Sequence, residues 1–225
     1  MRMRIGPGMG ILLPGLAAMA AVTVMSGRKD VGGLWQELWP WTVVLAAAAV
    51  HECGHMAAAW SVGARIRGLT LDLLGARMEL EGFLSYGEEI LVAAGGPFVS
   101  LAGAALAYPL WVVTGVRAAG LFAAASGVLG LLNLLPVGTL DGGRILFCGT
   151  AWLWGESFAH TLLKITTGLL LIGLWMLAVY GLLRAGEMLS LFAFSMSLLA
   201  RTWDGLCTEK GDSKKKSAKK MRGAY

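Results

Sequence analysis

Long apolar stretches separated by short polar segments dominate this chain. A helix needs about 20 mostly apolar residues to cross the hydrocarbon core of a bilayer. The pattern therefore predicts an all-α polytopic membrane protein with about six transmembrane helices. The predicted spans are residues 9–26, 40–62, 89–114, 118–138, 161–183 and 187–203.

The first predicted span could also be taken for a signal peptide, because it follows a basic MRMR start and has a short apolar core. Its AAVTVMSG end lacks a clear small-x-small cleavage site. We therefore keep residues 9–26 as a retained span.

Between the second and third spans the pattern changes to a period of two. The segment RIRGLTLDLLGARMELEGFLSY alternates apolar and polar residues, which is typical of strands. It predicts a β-hairpin over residues 65–86 that is associated with the cytoplasmic face of the membrane. This hairpin is either a simple surface connection or an exposed sheet edge that pairs with an extended peptide through Leu69 and Leu71.

Composition and charge agree with a membrane protein. Only 15% of the residues are charged, which is too few for an ordinary soluble domain. The net charge of +5 arises mostly from the basic segment at residues 210–225. We expect one membrane domain over residues 1–205 and a basic, disordered cytoplasmic tail over residues 206–225, with weak affinity for anionic lipid and no nucleic-acid role. The distribution of Lys and Arg places both termini in the cytoplasm.

The second span contains the motif HECGH, in which His51 and His55 lie one helical turn apart on the same face. Two imidazoles at this spacing can hold Zn²⁺, and Glu52 beside them can take a proton from a water. An ionisable group at mid-bilayer costs at least about 2.5 kcal/mol, so such residues require a function. Cys53 is expected to face away from the metal.

A catalytic zinc site has three protein ligands and one open position. The segment NLLPVGTLDGGR ends the fourth span, where Pro136 and Gly138 break the helix. Non-helical backbone at membrane depth must line a cavity or be buried in protein. Asp141, in the Gly-rich turn that follows, is therefore the predicted third ligand. His160 is expected to be an interfacial residue.

Together these residues carry a resemblance to a known family. HECGH in a span, followed about 80 residues later by N-x-x-P-x-x-x-x-D-G-G-R, resembles the site-2 protease family of intramembrane zinc metalloproteases. The AAGGPFVS segment is similar to that family's A-G-P segment. The small six-span members without a PDZ insertion, of the sporulation factor IVF-B type, are the most similar.

The resemblance implies a zinc ion bound by His51, His55 and Asp141, with Glu52 as the general base. Ser100 stands where the family often has Asn. The residues that the resemblance assigns to the substrate groove are Asn133, Pro136, Gly96, Pro97 and Ser100.

The predicted function is hydrolysis of peptide bonds within or beside membrane segments, by a multi-pass protein of the bacterial cell membrane. Its partners are membrane-associated substrates and regulatory membrane proteins. Candidate substrates are a sporulation sigma-factor precursor, an anti-sigma factor and a remnant signal peptide. Two alternatives remain open at this point: an inactive relative that only binds membrane segments, and a metal transporter, for which the other spans offer few ligands.

Overall fold

The computed structural model describes residues 2–5, 31–72 and 75–185 of the chain. Within these ranges it contains three strands and five helices. They are β1 (Arg2–Ile5), α1 (Val31–Ser61), β2 (Arg65–Asp72), β3 (Gly75–Glu81), α2 (Tyr86–Thr114), α3 (Arg117–Asn133), α4 (Asp141–Trp154) and α5 (Glu156–Ala185). The predicted spans at 9–26 and 187–203 and the predicted tail at 206–225 lie outside the described residues.

The elements fall into two compact units, which divide between Leu135 and Pro136. The first unit holds the sheet and helices α1 to α3, and the second holds α4 and α5.

Three helices of the described chain are long and apolar enough to cross a membrane. They occupy Leu38–Ser61, Tyr86–Thr114 and Glu156–Gly181, where the spans at 40–62, 89–114 and 161–183 were predicted. The protein is therefore mostly helical and has the character of a membrane protein.

Helix α3 is shorter than the span predicted at 118–138, because it ends at Asn133. The cause is Pro136, which lacks a backbone N–H and disfavours helical geometry at the residue before it. With 17 residues, α3 is an apolar helix below the length of the three spanning candidates.

Helix α2 has a defined start and end. Ser85 caps its first turn, and the Glu88 carboxylate accepts the Ser85 backbone N–H at 2.7 Å in a capping box. It ends at Thr114, and the next residue, Gly115, has a φ of 67°, the left-handed conformation that favours glycine. Helix α3 begins at Arg117, directly after this short turn, and the two helices pack against each other.

The sheet corrects one expectation. Strand β2 is central, with β1 parallel on one side and β3 antiparallel on the other. Leu69 pairs with Met3 as well as with Met78, and the backbone of Leu71 is likewise paired on both sides. Leu69 and Leu71 therefore do not lie on an exposed edge, because a strand from the start of the chain occupies that position.

Helix α4 corrects a second expectation. The Gly-rich sequence predicts a turn, but Asp141 is the first residue of a 14-residue helix. Two glycines cost about 1 kcal/mol each in a helix relative to alanine. The apolar residues that follow offset this cost by packing, since α4 lies against α5 in the second unit. A carboxylate in the first turn is also favoured by the helix dipole.

Glycines bring α1 and α2 into close approach. A Cβ atom on Gly95 would lie 2.6 Å from the Gly54 carbonyl oxygen and 2.7 Å from the Ala58 Cβ. A Cβ atom on Gly54 would in turn collide with the Gly95 backbone. Small residues at a crossing let two helix backbones approach closely. Gly95 therefore serves the close packing of α1 on α2.

Substitution of Gly95 by alanine should therefore destabilise the first unit. The methyl group would overpack the crossing, which typically costs about 1–3 kcal/mol. Gly87→Ala is the matched control, because a Cβ atom at Gly87, in the same helix, meets nothing within 4 Å. Thermal unfolding in detergent should rank Gly95→Ala well below Gly87→Ala, and equal stabilities would contradict this packing account.

Candidate metal centre

The two histidines of HECGH point their outer ring nitrogens at one another. His51 and His55 are 4% and 6% exposed, and their Nε2 atoms lie 3.2 Å apart. The rings are nearly perpendicular, with an interplanar angle of 84°. The prediction that both side chains share one helix face is confirmed, and their Nε2 atoms converge as two ligands of one ion must.

His55 is held from behind by the backbone of α2. Its Nδ1–H donates to the Val92 carbonyl oxygen at 2.8 Å. A neutral imidazole carries one N–H, so this bond leaves a lone pair on Nε2. The imidazole also rests against Gly96, where a Cβ atom would collide with the ring. Gly96 thus makes the room in which His55 lies.

His51 is held by a side chain of α2. Its Nδ1 lies 2.9 Å from the Ser100 hydroxyl oxygen, and Ser100 is completely buried. Val92, Gly96 and Ser100 are spaced four residues apart, so they line one face of α2. That spacing was visible in the sequence, and it is the signal that could have identified Val92 and Ser100 as partners of the two histidines.

The neighbours of the histidines within the motif differ in exposure. Glu52 is half-buried beside His51 on α1. Cys53 is exposed, as expected for a side chain that faces away from the two buried rings. Two imidazoles and an adjacent carboxylate are therefore presented by a single helical turn.

Asp141 begins α4 in the second unit and is half-buried there. Two hydrogen bonds fix the loop that precedes Asp141. The Gly138 N–H donates to the Thr167 hydroxyl of α5 at 3.0 Å, and the Leu140 N–H donates to the Val137 carbonyl at 2.9 Å. These bonds fix the backbone that leads into Asp141.

Gly143 is required by the same loop. A Cβ atom there would collide with the carbonyl group of Val137, whose side chain is 2% exposed. Glycine at position 143 is thus explained by close packing of the loop on the first turn of α4.

The remaining predicted residues occupy varied positions. The Asn133 side-chain amide donates to the Leu129 carbonyl at 3.0 Å, within α3. Pro136 is half-buried in the loop, and Pro97 is buried in α2. His160 is exposed, with its ring centroid 4.7 Å from that of Phe147.

The relatives found by comparison with known proteins are assigned as zinc metalloproteases. Rip3 of Mycobacterium tuberculosis, assigned as a zinc metalloprotease, is 33% identical over 121 residues, which is 50% of this chain and 30% of the relative. The protein sll0528 of Synechocystis, assigned likewise, is 32% identical over 114 residues, which is 46% of this chain and 29% of the relative. The chain thus matches less than a third of the length of either relative. No family model matches.

A solved structure decides the fold. The site-2 protease from Methanocaldococcus jannaschii superimposes with a TM-score of 0.58 over 81% of this chain and 82% of its own, at 18% identity. The chain has the site-2 protease fold. The sequence motifs resemble those of the same family.

In this site-2 protease fold, Gly143→Ala should perturb the loop before Asp141. The methyl group would displace the Val137 carbonyl and cost about 1–3 kcal/mol through overpacking. Gly138→Ala is the matched control in the same loop, because a Cβ atom there would meet Leu163 at an ordinary 3.6 Å. Thermal unfolding in detergent checks the ranking, and a Gly143→Ala protein as stable as Gly138→Ala would refute it.

Proposed function

We propose that this protein is an intramembrane zinc metalloprotease, which hydrolyses peptide bonds within or next to the membrane segments of membrane-associated substrates. The observation that carries the proposal is the convergence of the His51 and His55 Nε2 atoms, 3.2 Å apart, each ring being held through Nδ1. The site-2 protease fold and the relatives assigned as zinc metalloproteases support it.

The donor set fits zinc. Neutral imidazole nitrogens are common zinc ligands, and their second ring nitrogens usually donate to a carbonyl or another oxygen, as the Nδ1 atom of His55 does here. We propose Asp141 as the third ligand, because a carboxylate completes a catalytic set of two histidines and one acid. Three protein ligands leave a fourth position open for water or substrate.

Glu52 is the proposed general base. Zinc, when bound, activates a water and polarises the scissile carbonyl. The Glu52 carboxylate takes a proton from that water and passes it to the leaving nitrogen. The C–N bond is broken, the water oxygen is added to the carbonyl carbon, and the products are a carboxylate and an amine.

The substrate must present an extended segment, because a helix holds its carbonyls in hydrogen bonds to residues four positions on. A strand edge is one way to hold such a segment. Since β2 is paired on both sides, the edge that we propose for this role is the outer edge of β3. Asn133, Pro136, Gly96 and Pro97 remain the proposed groove residues.

The finer features of the sequence prediction belong to the same proposal. They are six spans, a bacterial cell membrane location and contact of the sheet with the cytoplasmic face. The candidate substrates remain a sigma-factor precursor, an anti-sigma factor and a remnant signal peptide, each of which contains or adjoins a membrane segment.

The metal site predicts a defined pattern of zinc loss. Wild-type protein should carry one zinc per chain, and His51→Ala and Asp141→Ala should each lose it, because each removes a ligand. Cys53→Ala is the matched control, since its exposed thiol lies between the two histidines in sequence. Elemental analysis of purified protein measures the ratio. Stoichiometric zinc in both His51→Ala and Asp141→Ala would place the site elsewhere.

Glu52→Gln should separate catalysis from metal binding. The substitution removes the base but no ligand, so zinc content should hold while cleavage falls by about 10²- to 10⁴-fold. Glu156→Gln, at the exposed start of α5, is the control for loss of one carboxylate. Cleavage of a panel of tagged membrane substrates provides the readout. Equal cleavage by Glu52→Gln would reassign the base, and a zinc-loaded wild type that cuts none of the panel would favour an inactive relative.

A further inference from the structure

The two histidines have chemically different partners behind them. The Val92 carbonyl oxygen, 2.8 Å from Nδ1 of His55, can only accept a hydrogen bond. The Ser100 hydroxyl, 2.9 Å from Nδ1 of His51, can either donate or accept. The Gly96 backbone nitrogen also lies near His55 Nδ1, but at 3.4 Å, so the shorter contact to Val92 favours the tautomer with hydrogen on Nδ1. His51 can adopt both tautomers without losing its partner.

The contact between the rings shows why this difference matters. The Nε2 atoms are 3.2 Å apart, which allows one hydrogen between them. Because His55 carries its hydrogen on Nδ1, the shared hydrogen belongs to His51 Nε2, and Ser100 then donates to His51 Nδ1. For both rings to offer Nε2 lone pairs to a metal, the His51 hydrogen must be on Nδ1, and Ser100 must accept it.

We propose that Ser100 is the positioning residue of His51. Its hydroxyl holds the ring in place and changes from donor to acceptor when His51 presents Nε2 to zinc. This inference rests on the proposed metal site and gives Ser100 a task different from the substrate contact predicted from the sequence. Partners behind a ligating histidine fix its tautomer and orientation and raise its basicity.

The packing around Ser100 holds its hydroxyl in place as the partner of His51. The side chain is 0% exposed, so little water competes for its hydroxyl. On its other side lies α3, where a Cβ atom on Gly130 would be 3.2 Å from the Ser100 Cβ. The serine is thus packed between two helices, and its hydroxyl is directed to His51.

The chain offers a matched control in Ser126. This serine of α3 is also 0% exposed, but its hydroxyl has no hydrogen-bond partner among the described residues. Ser126→Ala therefore makes the same change of size and polarity in the same unit, without removing a bond to a histidine.

The first test is zinc affinity, measured on full-length protein by competition with a chelator. Ser100→Ala should bind zinc about 10- to 100-fold more weakly than wild type, the usual effect of losing a partner behind a ligand. Ser126→Ala should match wild type. Equal affinities of Ser100→Ala and Ser126→Ala would overturn the inference.

The second test is nitrogen NMR of ¹⁵N-histidine-labelled, zinc-loaded protein, which is simplified because the chain has three histidines. In wild type, both ligating rings should carry hydrogen on Nδ1, and Ser100→Ala should perturb the His51 signals while those of His55 hold. A wild-type His51 with hydrogen on Nε2, or bound through Nδ1, would overturn the inference even if Ser100→Ala fails to fold. A wild type that binds no zinc would overturn the proposed function as well.

Discussion

The close approach of α1 and α2 is the constraint on which the candidate site depends. Gly54 and Gly95 remove the side chains that would keep the two backbones apart. Only at this separation can the His55 ring lie against Gly96 and reach the Val92 carbonyl. The glycines of HECGH and AAGGP therefore shape the candidate metal centre, although none of them offers a side-chain ligand atom.

The same crossing of α1 and α2 provides hydrogen-bond partners for the two buried histidines. A buried polar group without a partner costs about 1–3 kcal/mol, and two imidazoles in an apolar helix would incur that cost twice. Here α2 supplies one oxygen to each Nδ1 atom, from a carbonyl for His55 and from a hydroxyl for His51. The bonds that satisfy the rings also aim their Nε2 atoms at one point. The crossing of α1 and α2 therefore buries the two histidine rings, orients them and leaves their Nε2 atoms available to a metal.

Much of this arrangement could be predicted from the sequence, because its signals are periodic. Apolar length identified three helices, and the four-residue spacing placed His51 and His55 on one face. Contacts distant in sequence were harder to predict. Strand β1 occupies one edge of β2 by pairing across more than 60 residues, and no local pattern indicates that. Gly142 and Gly143 suggested a turn, but close packing against Val137 is the reason for glycine at position 143. Ser100 was assigned by resemblance, whereas its partner is set by the crossing of α1 and α2.

We propose that a zinc ion is bound by imidazole nitrogens of His51 and His55 and by a carboxylate oxygen of Asp141. X-ray absorption at the zinc edge of the purified protein tests it directly, because the method reports the type and distance of the atoms around the metal. We expect imidazole nitrogens at about 2.0–2.1 Å, a carboxylate oxygen at about 2.0–2.2 Å and no sulfur. A sulfur neighbour at about 2.3 Å, or a shell without imidazole, would contradict it.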